Sequence, residues 1–386
     1  QRRFHFWNRL FLYEAKTNLV IYGIFIVEVI KNNQAMVNQK SGAEIDVKYV
    51  LDLRDFPGDP YENLVVHDYE VILADDEVDI ICEAMGGVEP AYTFSKKALL
   101  KGKSVCTSNK ELVAAHGPEL IQIARENNCN YMFEASVGGG IPIIRPLHTC
   151  LTADVIEEIS GILNGTTNYM LTKMSVEGAD YDEVLKDAQA KGYAERNPEA
   201  DVEGHDPARK IAILTSLITG KKVDFEDLYC EGITKVTTED IAYAKKMGLA
   251  IKLLATSKKI GDQYSIMVSP KMIGASHPLF AVNDVFNAIF VKGNMLGDSM
   301  FYGSGAGKLP TASAVAGDIV EAAKVTGNTG HFWTEEKLTL ADISTVENKF
   351  FVRANASAEE VKAVFGDVAV MDDVAAGEIG FVTERM

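Results

Sequence analysis

The sequence has few basic residues relative to acidic ones, no apolar run long enough to span a membrane and no recognisable secretion signal. The chain has 38 basic and 55 acidic residues, a net charge of -17, which argues against a nucleic-acid partner because nucleic-acid binders need a basic face. The apolar run LVIYGIFIV near the amino terminus is far below the roughly 20 residues of a membrane span. No small-residue cleavage site follows it, so no signal peptide is expected. We therefore expect a cytoplasmic protein without nucleic-acid or membrane partners.

Cysteine is scarce as well, and its spacing carries no pattern. The five cysteines form no CxxC pair, and four lie in or beside apolar runs, which is typical of reduced, buried thiols. A catalytic or metal-binding cysteine is the minor alternative. The cysteines are Cys82, Cys106, Cys129, Cys150 and Cys230.

What the chain does have, from residue 18 to about residue 136, is an alternation of apolar runs with helical patterns. The runs are NLVIYGIFIV, DVKYVLDL, VDIICEAM, KSVCTS and NYMFEAS. Strands that alternate with helices predict an α/β fold, here a doubly wound, Rossmann-like parallel sheet. Ligands of such a sheet lie at the carboxyl ends of its strands.

Three successive predicted strands end in glycine or polar residues. One runs into Gly86 and Gly87, the next into Asn109 and Lys110, and the third into a glycine triplet at 138–140. Glycine there lets the backbone approach a ligand closely, although an ordinary loop glycine is an equally good interpretation of any single one. The carboxyl edge of the sheet is thus the predicted ligand site.

After Pro142 the pattern becomes mixed α+β, and it closes with a strand, a helix and two strands. We expect a dinucleotide-binding domain over 1–140, completed by 305–330, and a substrate and dimerisation domain over 141–304. Residues 345–386 resemble the first four elements of an ACT-type regulatory module. Feedback sensing of threonine is one hypothesis for this segment, and a small structural appendage is the favoured one.

The stretch YAERNPEADVEGHDPARKIAIL sets charge at the start of an apolar helix. Asp206 followed by Pro207 predicts a helix start, and Lys210 lies one turn further on the same face. Because Ile211 and Leu214 must face the core, Lys210 lies at the edge of the buried stripe, where pocket walls occur. A lysine withdrawn from water passes a proton more readily near neutral pH. The alternative is a capped helix with a solvated ion pair.

Five long motifs, in order and with matching spacing, resemble homoserine dehydrogenase. They are CTSNKELVA, EASVGGGIPIIRPL, SGILNGTTNYMLTKM, the charged stretch above and YGSGAGKLPTASAV. The resemblance runs from about Val27 to Thr326. It implies NADPH- or NADH-dependent interconversion of L-homoserine and L-aspartate 4-semialdehyde, on the route to threonine and methionine, by a homodimer or higher homo-oligomer.

The resemblance also assigns roles to residues. Lys210 matches the general acid/base, and Lys110 matches a second essential lysine near nicotinamide and substrate. Carboxylates and loop residues that line the amino-acid site match Glu195, Asp201, Asp206, Gly165 and Thr166. Cofactor contacts match Gly23, Gly86, Gly87, Ser108, Asn109, Lys110, Gly305 and Gly307. A Na+ or K+ site built mostly from backbone carbonyls matches Glu134, Val137, Gly139 and Ile141.

The chemistry explains these charges. The substrate carries an ammonium and a carboxylate, so its site needs acids for the first and donors for the second. When hydride reaches the aldehyde carbon, negative charge develops on the oxygen, and a lysine there stabilises it and supplies a proton. The nicotinamide carries the hydride.

The chain departs from the family at the first strand, where a GxGxxG fingerprint is expected. Gly23 is the only glycine in that region, and Phe25 would obstruct the pyrophosphate. A damaged or misassigned stretch before Val27 is the favoured explanation, and a genuine adaptation with weak cofactor binding is the alternative. Arg196 and Lys308 stand where the family has proline and a small residue.

Two questions stay open at this point. Asp52 would hold an adenine ribose and Arg54 a 2′-phosphate, and both follow the second strand, so the sequence does not decide between NAD and NADP. The alternative functions are a catalytically impaired binding protein on the same fold, suggested by the lost fingerprint, and a relative that acts on another small amino-aldehyde.

Overall fold

The computed structural model describes the backbone of residues 7–13, 20–325, 327 and 333–386, with side chains from Phe25 onward in those ranges. The chain divides into two compact units. Unit 1 comprises residues 1–156, 209–227 and 287–338, and unit 2 comprises 157–208, 228–286 and 339–386. The boundary within 200–220 falls between Ala208 and Arg209, inside a continuous helix.

The strands of the described residues are bounded as follows: β1 Trp7–Tyr13, β2 Glu44–Leu51, β3 Val65–Val66, β4 Val78–Glu83, β5 Ser104–Thr107, β6 Tyr131–Met132, β7 Ile156–Ile162, β8 Lys221–Lys222, β9 Tyr229–Cys230, β10 Leu249–Ile260, β11 Gln263–Gly274, β12 Phe286–Gly293, β13 Gly297–Ser304, β14 Thr334–Lys337, β15 Phe351–Ala354, β16 Val370–Met371 and β17 Ile379–Val382. The α-helices of the same residues are α1 Val20–Asn32, α2 Gln34–Ser41, α3 Tyr69–Leu73, α4 Ala91–Leu100, α5 Lys110–Glu126, α6 Ile144–Thr149, α7 Gly165–Glu177, α8 Tyr181–Ala190, α9 Glu199–Val202, α10 His205–Thr219, α11 Thr238–Lys246, α12 Lys308–Lys324 and α13 Ala358–Phe365.

Unit 1 is built on a six-stranded sheet in the order β3-β2-β1-β4-β5-β6. Every neighbouring pair in it is parallel. This is the order of the doubly wound dinucleotide-binding fold, so the predicted parallel sheet is confirmed. The helices α1 and α12 cover one face, where Ile26 and Ile30 pack with Ile80 and Ile319.

The first strand is not where the sequence placed it. Residues 20–27, predicted as part of the strand NLVIYGIFIV, are helical and belong to α1, and the central strand β1 comes from the preceding residues 7–13. An apolar run of this length fits a buried strand or a buried helix equally well by periodicity. Burial decides for the helix, because Ile26, Val27 and Ile30 are buried while Glu28 is exposed, which is one face of a 3.6-residue repeat. The strand prediction was wrong here.

Unit 1 also takes in segments that the sequence assigned to the substrate domain, among them 141–156 and most of the β12–β13 hairpin. The hairpin is fastened by hydrogen bonds: Asp154 Oδ1 accepts from the backbone N–H groups of Met295 (2.9 Å) and Leu296 (2.8 Å), and Gly140 N–H donates to Ser304 O (3.0 Å). The compact units therefore differ from the predicted ranges, and the division into functional domains stays a prediction.

In unit 2, β10 pairs antiparallel with both β7 and β11, and β11 pairs parallel with β9. This mixed sheet agrees with the predicted α+β character. The closing segment forms an antiparallel sheet in the order β15-β17-β16 with α13, the predicted strand, helix, strand, strand. Arg353 fastens it to α11 through Asp240 (2.8 Å) and also bonds Glu378 (2.7 Å).

Two predictions from composition can be compared with the fold. Within the described residues no helix has both the length and the apolar character needed to cross a membrane. All five cysteines are free; three are buried, Cys230 is half-buried and Cys150 is exposed. Burial was predicted for four, so it is confirmed for Cys82, Cys106 and Cys129.

Candidate active site

The strand ends of β4 and β5 are joined by buried hydrogen bonds in unit 1. The Glu83 carboxylate accepts from Met85 N–H (2.5 Å) and from the Thr107 hydroxyl. Thr107 Oγ1 in turn accepts from Asn109 N–H (2.9 Å), and Asn109 Nδ2 donates to Gly87 O (2.6 Å). The loop after β4 and the loop after β5, both predicted to contact the cofactor, are therefore fixed to each other.

Lys110 is the first residue of α5, directly after these loops. Asn109 caps the helix, with Oδ1 accepting from Leu112 N–H (3.0 Å), so the asparagine fixes both the loop and the helix start. Lys110 and Ser108 are half-buried. Gly87 has φ of 77°, and a Cβ there would meet nothing within 4 Å, so its backbone borders open space. Such a bare backbone beside a helix N-terminus suits a ligand with phosphate groups.

Glu83 is the most perturbed carboxyl of this edge. Burial raises its pKa to about 7, against hydrogen bonds from Thr107, Met85 and Asn109 that favour the charged form. A carboxyl with this pKa changes charge near physiological pH. Glu83 is not among the residues predicted from the sequence, although an acid that ends an otherwise apolar buried strand is a signal that could have found it.

At the end of β2 the two candidate cofactor residues bind each other. The buried Asp52 carboxylate accepts from Arg54 Nε (3.0 Å), from its NH2 group (2.9 Å) and from its backbone N–H (2.9 Å). The guanidinium also lies over the Phe56 ring, 5.1 Å from its centroid, and stays partly exposed. Asp52 therefore orients Arg54 and leaves one side of the cation facing out.

The glycine-rich loops of unit 1 meet without room for side chains. A Cβ on Gly139, where φ is 58°, would lie 2.2 Å from Gly305 O, and one on Gly305 would lie 2.1 Å from Asn287 Cγ. Gly307, with φ of 114°, directly precedes α12. Phe25, the predicted obstruction, packs against the core with the Lys308 amine 5.2 Å from its ring centroid. Gly23 lies in the backbone of α1 rather than in a turn after a strand.

The Glu134 carboxylate is hydrogen-bonded to nearby backbone N–H groups. Its carboxylate accepts from the N–H groups of Ile143 (2.6 Å), Ile144 (2.8 Å) and Arg145 (2.7 Å). Asp318 accepts from Glu134 N–H (2.9 Å) and pairs with Arg145; burial and Glu134 raise its pKa. Of the predicted cation ligands, Val137 and Ile141 are buried, and any contribution from Glu134 falls to its carbonyl. The described residues contain no group of three or more acids, histidines or cysteines that could hold a metal ion. A site built from backbone carbonyls does not need such a group.

In unit 2 an asparagine that the sequence analysis missed holds two of the predicted acids. Asn164 Nδ2 donates to Asp201 Oδ1 (2.7 Å) and to Asp206 Oδ2 (3.0 Å), and its Oδ1 caps α7 by accepting from Thr167 N–H (2.9 Å). Asp206 and Asn164 are buried. An Asn before Gly165 at a strand–helix junction is a capping signal, and it could have been found in NGTTNY.

The other candidate substrate residues divide. Thr166 donates to Tyr193 O (2.5 Å), which ties the start of α7 to the loop that contains Glu195. The Glu195 side chain is exposed, however, and its carbonyl accepts from Gln189 (3.1 Å). Within unit 2 the structure thus brings together Asp201, Asp206 and Asn164, but it leaves Glu195 on the surface.

Lys210 is buried, with 8% of its surface exposed, one turn after Asp206 in α10. A solvated surface pair, the alternative interpretation of this spacing, requires exposure and is excluded. A buried lysine needs polar partners or a function, because an ammonium withdrawn from water is otherwise costly. The burial of Lys210 is therefore the observation that makes it a candidate functional residue.

The parallel sheet in dinucleotide-binding order, the bare backbone at Gly87 and the buried Lys210 fit one class of protein: an NAD(P)-dependent oxidoreductase. Comparison with known proteins then sets the family. The chain matches the model of the homoserine dehydrogenase family over residues 142–320 and that of its NAD-binding domain over 23–134. The chain belongs to the homoserine dehydrogenase family, with the corresponding activity in the biosynthesis of aspartate-family amino acids.

Individual relatives agree. The chain is 43% identical to the homoserine dehydrogenase of Bacillus subtilis over 316 residues, which is 79% of this chain and 72% of that one. The crystal structure of a homoserine dehydrogenase from Thiobacillus denitrificans superposes with a TM-score of 0.86 at 31% identity, covering 98% of this chain and 91% of that one. A hyperthermophilic archaeal homoserine dehydrogenase in complex with NADPH gives a TM-score of 0.68 at 27% identity, over 82% and 97%.

Proposed function

We propose that Lys210 is the proton donor and acceptor of the homoserine dehydrogenase reaction in this chain. In the reducing direction its ammonium stabilises the charge that develops on the aldehyde oxygen and then delivers a proton to it. In the oxidising direction the neutral amine takes the hydroxyl proton of homoserine. The burial of Lys210 one turn after a buried, oriented Asp206 is the observation that supports this role.

We assign recognition of the amino-acid ammonium to Asp201 and Asp206. Asn164 bonds both carboxylates, so their spacing is set before the substrate binds, which reduces the ordering cost of binding. Glu195, exposed in this structure, has the least support among the predicted acids. Lys110, at the start of α5, is placed by Asn109 and is the candidate for orienting substrate and nicotinamide.

The nicotinamide, when bound, donates or accepts the hydride. The residues present at the strand ends fit such a group: open backbone at Gly87, a fixed helix N-terminus at Lys110 and a paired Asp52 and Arg54 at β2. The turn between β1 and α1, where the fingerprint would bind pyrophosphate, lies outside the described residues.

NADP is the cofactor we propose this chain prefers. An acid that selects NAD must offer its oxygens to the ribose 2′-hydroxyl, but the oxygens of Asp52 are bonded to Arg54. The partly exposed guanidinium is then an oriented cation suited to a 2′-phosphate.

Two further parts of the proposal concern a cation and a second copy of the chain. A Na+ or K+ ion would be held by backbone carbonyls around Val137, Gly139 and Ile141.

The homodimer is supported by β13, which lies at the edge of its sheet and exposes Met300 and Tyr302. An apolar exposed edge strand is a liability that a partner would cover.

The test is turnover by the purified chain. We expect saturable binding of NADPH and oxidation of L-homoserine. We also expect the amino alcohol one carbon longer than homoserine to be turned over more slowly than homoserine. Absence of saturable binding of either NADPH or NADH at millimolar concentration would favour the impaired binding protein instead. Equal rates with both substrates would favour a relative acting on another amino-aldehyde.

A further inference from the structure

The hydrogen-bonded chain at the ends of β4 and β5 has no place in the proton transfer described above. We call it the Glu83 relay: Met85 N–H and the Thr107 hydroxyl donate to Glu83, Asn109 N–H donates to Thr107, and the Asn109 amide donates to Gly87 O. Glu83 and Thr107 face each other as partners across the two strands. The relay thus begins and ends in the loop after β4 and passes through the residue before α5.

Two members of the relay, Gly87 and Asn109, carry or adjoin residues with proposed roles. Gly87 borders the open space at the strand ends, and Asn109 is the cap that fixes the first turn of α5, where Lys110 lies. A shift of Asn109 would therefore move Gly87 and Lys110 together. Misplacement by about 1 Å is enough to cost a large factor in rate.

We propose that Glu83 is a positioning residue for the reaction: its buried carboxylate holds the loop after β4 against the start of α5 and so sets the position of Lys110. This inference rests on the proposed function for the identity of the reaction. Glu83 itself lies within the fold and does not contact the substrate in this account. Its effect passes through Thr107 and Asn109.

The carboxylate form has a specific part in the relay. As an anion, Glu83 accepts both donors that reach it; once protonated, one oxygen must donate, and the Thr107 hydroxyl must turn. The groups that face it are Thr107 and Asn109 from β5 and its loop, Met85 from its own loop, and the buried Tyr131 hydroxyl from β6. Burial raises the Glu83 pKa to about 7, so the relay changes state near neutral pH.

Ionisation of Glu83 should affect the stability of the fold and the activity of the enzyme in opposite directions. Because the folded-state pKa lies above that of an exposed glutamate, the stability that Glu83 contributes is present at acid pH and is lost as pH rises through about 7. Activity in this account needs the anion, so it rises over the same range. Glu83→Gln should therefore be slower and yet no less stable at pH 8, a combination that a merely structural role does not give.

The experiment compares Glu83→Gln, Thr107→Val and Thr107→Ser with the unaltered chain. We expect the first two to lower kcat about tenfold or more, with KM for homoserine within about twofold, and Glu83→Gln to remove the acid limb of kcat near pH 7. Thr107→Ser keeps the hydroxyl and should retain activity. The control is Glu119→Gln on α5, where the carboxylate bonds Lys96 and Tyr92 at the surface, and it should leave kcat and its pH profile unchanged.

Two results would overturn the proposal. One is a Glu83→Gln enzyme with unaltered kcat and acid limb, and the other is a loss of kcat that follows a lower melting temperature at pH 8. If the unaltered chain does not oxidise homoserine, the proposed function fails separately. Amide hydrogen exchange then decides on the relay: faster exchange of both 85–88 and 109–113 in Thr107→Val supports it, and unchanged exchange refutes it.

Discussion

At the scale of single residues, the proposed function depends mostly on buried polar contacts that are fixed before a ligand binds. Asp52 is buried and aims Arg54, Asn164 joins two acids, and Glu83 joins two loops. In each case a buried polar side chain has its hydrogen bonds within the fold, as burial of a polar group demands. The ligand-facing residue is then oriented by a neighbour that the ligand does not touch.

The Arg54 pair gives a prediction on cofactor choice. Arg54→Ala should raise KM for NADPH about 10- to 100-fold, the worth of hydrogen bonds to a charged group, and change KM for NADH little. Steady-state kinetics with both cofactors measures the ratio. Lys97→Ala, which removes a surface cation paired with Glu70, is the control. Equal loss for NADPH and NADH would count against the 2′-phosphate contact.

At the scale of secondary-structure elements, the candidate site residues lie at or near the N-termini of helices. The helix α5 begins at Lys110, α7 begins after Asn164, and α10 contains both Asp206 and Lys210. The first turn of a helix has backbone N–H groups without partners inside the helix, so caps such as Asn109 and Asn164 fix the backbone there and with it the site residues beside it.

The cap of α7 allows a sharp test by substitution. Asn164→Asp keeps a good cap but replaces the amide donor by a third carboxylate beside Asp201 and Asp206. We expect a loss of about 2–4 kcal/mol in the free energy of unfolding at pH 8, from repulsion and lost bonds, with recovery as acid pH protonates the cluster. Denaturant unfolding at pH 5 and pH 8 measures it. Asn164→Ser, which caps without adding a charge, should show a smaller and less pH-dependent loss; a loss of equal size and equal pH dependence would refute the repulsion.

Sequence patterns predicted elements better than they predicted their contacts. The alternation of strands and helices predicted β2, β4 and β5, because apolar runs separated by helical patterns leave few choices. It failed at 20–27, where an all-apolar run has no period, and the strand at the centre of the sheet is β1 instead. The sequence patterns did not show that Asn164 is buried and Glu195 exposed, because which of several polar loop residues turns inward depends on tertiary packing.

At the scale of the whole molecule, the exposed edge of β13 is the feature that an isolated chain does not explain. Met300 and Tyr302 on β13 are exposed, as are Met295 and Leu296 in the turn that precedes it. Together with the family assignment they support the proposed homodimer. The expected cytoplasmic location stays a prediction.

The dimer can be tested on this edge. Met300→Lys should convert the dimer to monomer or weaken it about 100-fold or more, because a charge would be buried in an apolar contact. Sedimentation velocity over a range of concentrations measures the change. Val364→Lys, at an exposed site on α13, is the control and should leave the association state unchanged. A dimer of unaltered affinity in Met300→Lys would place the interface elsewhere.

The most direct test of the whole account is the removal of one amine from α10. With Lys210→Ala we predict a fall in kcat of about 10²- to 10⁴-fold in both directions, the range for a lost general acid or base, with NADPH affinity and melting temperature nearly unchanged. Lys221→Ala, just beyond the same helix and paired at the surface with Glu336, should turn over normally. A Lys210→Ala enzyme that oxidises homoserine within about threefold of the unaltered rate would contradict the assignment of proton transfer to this residue.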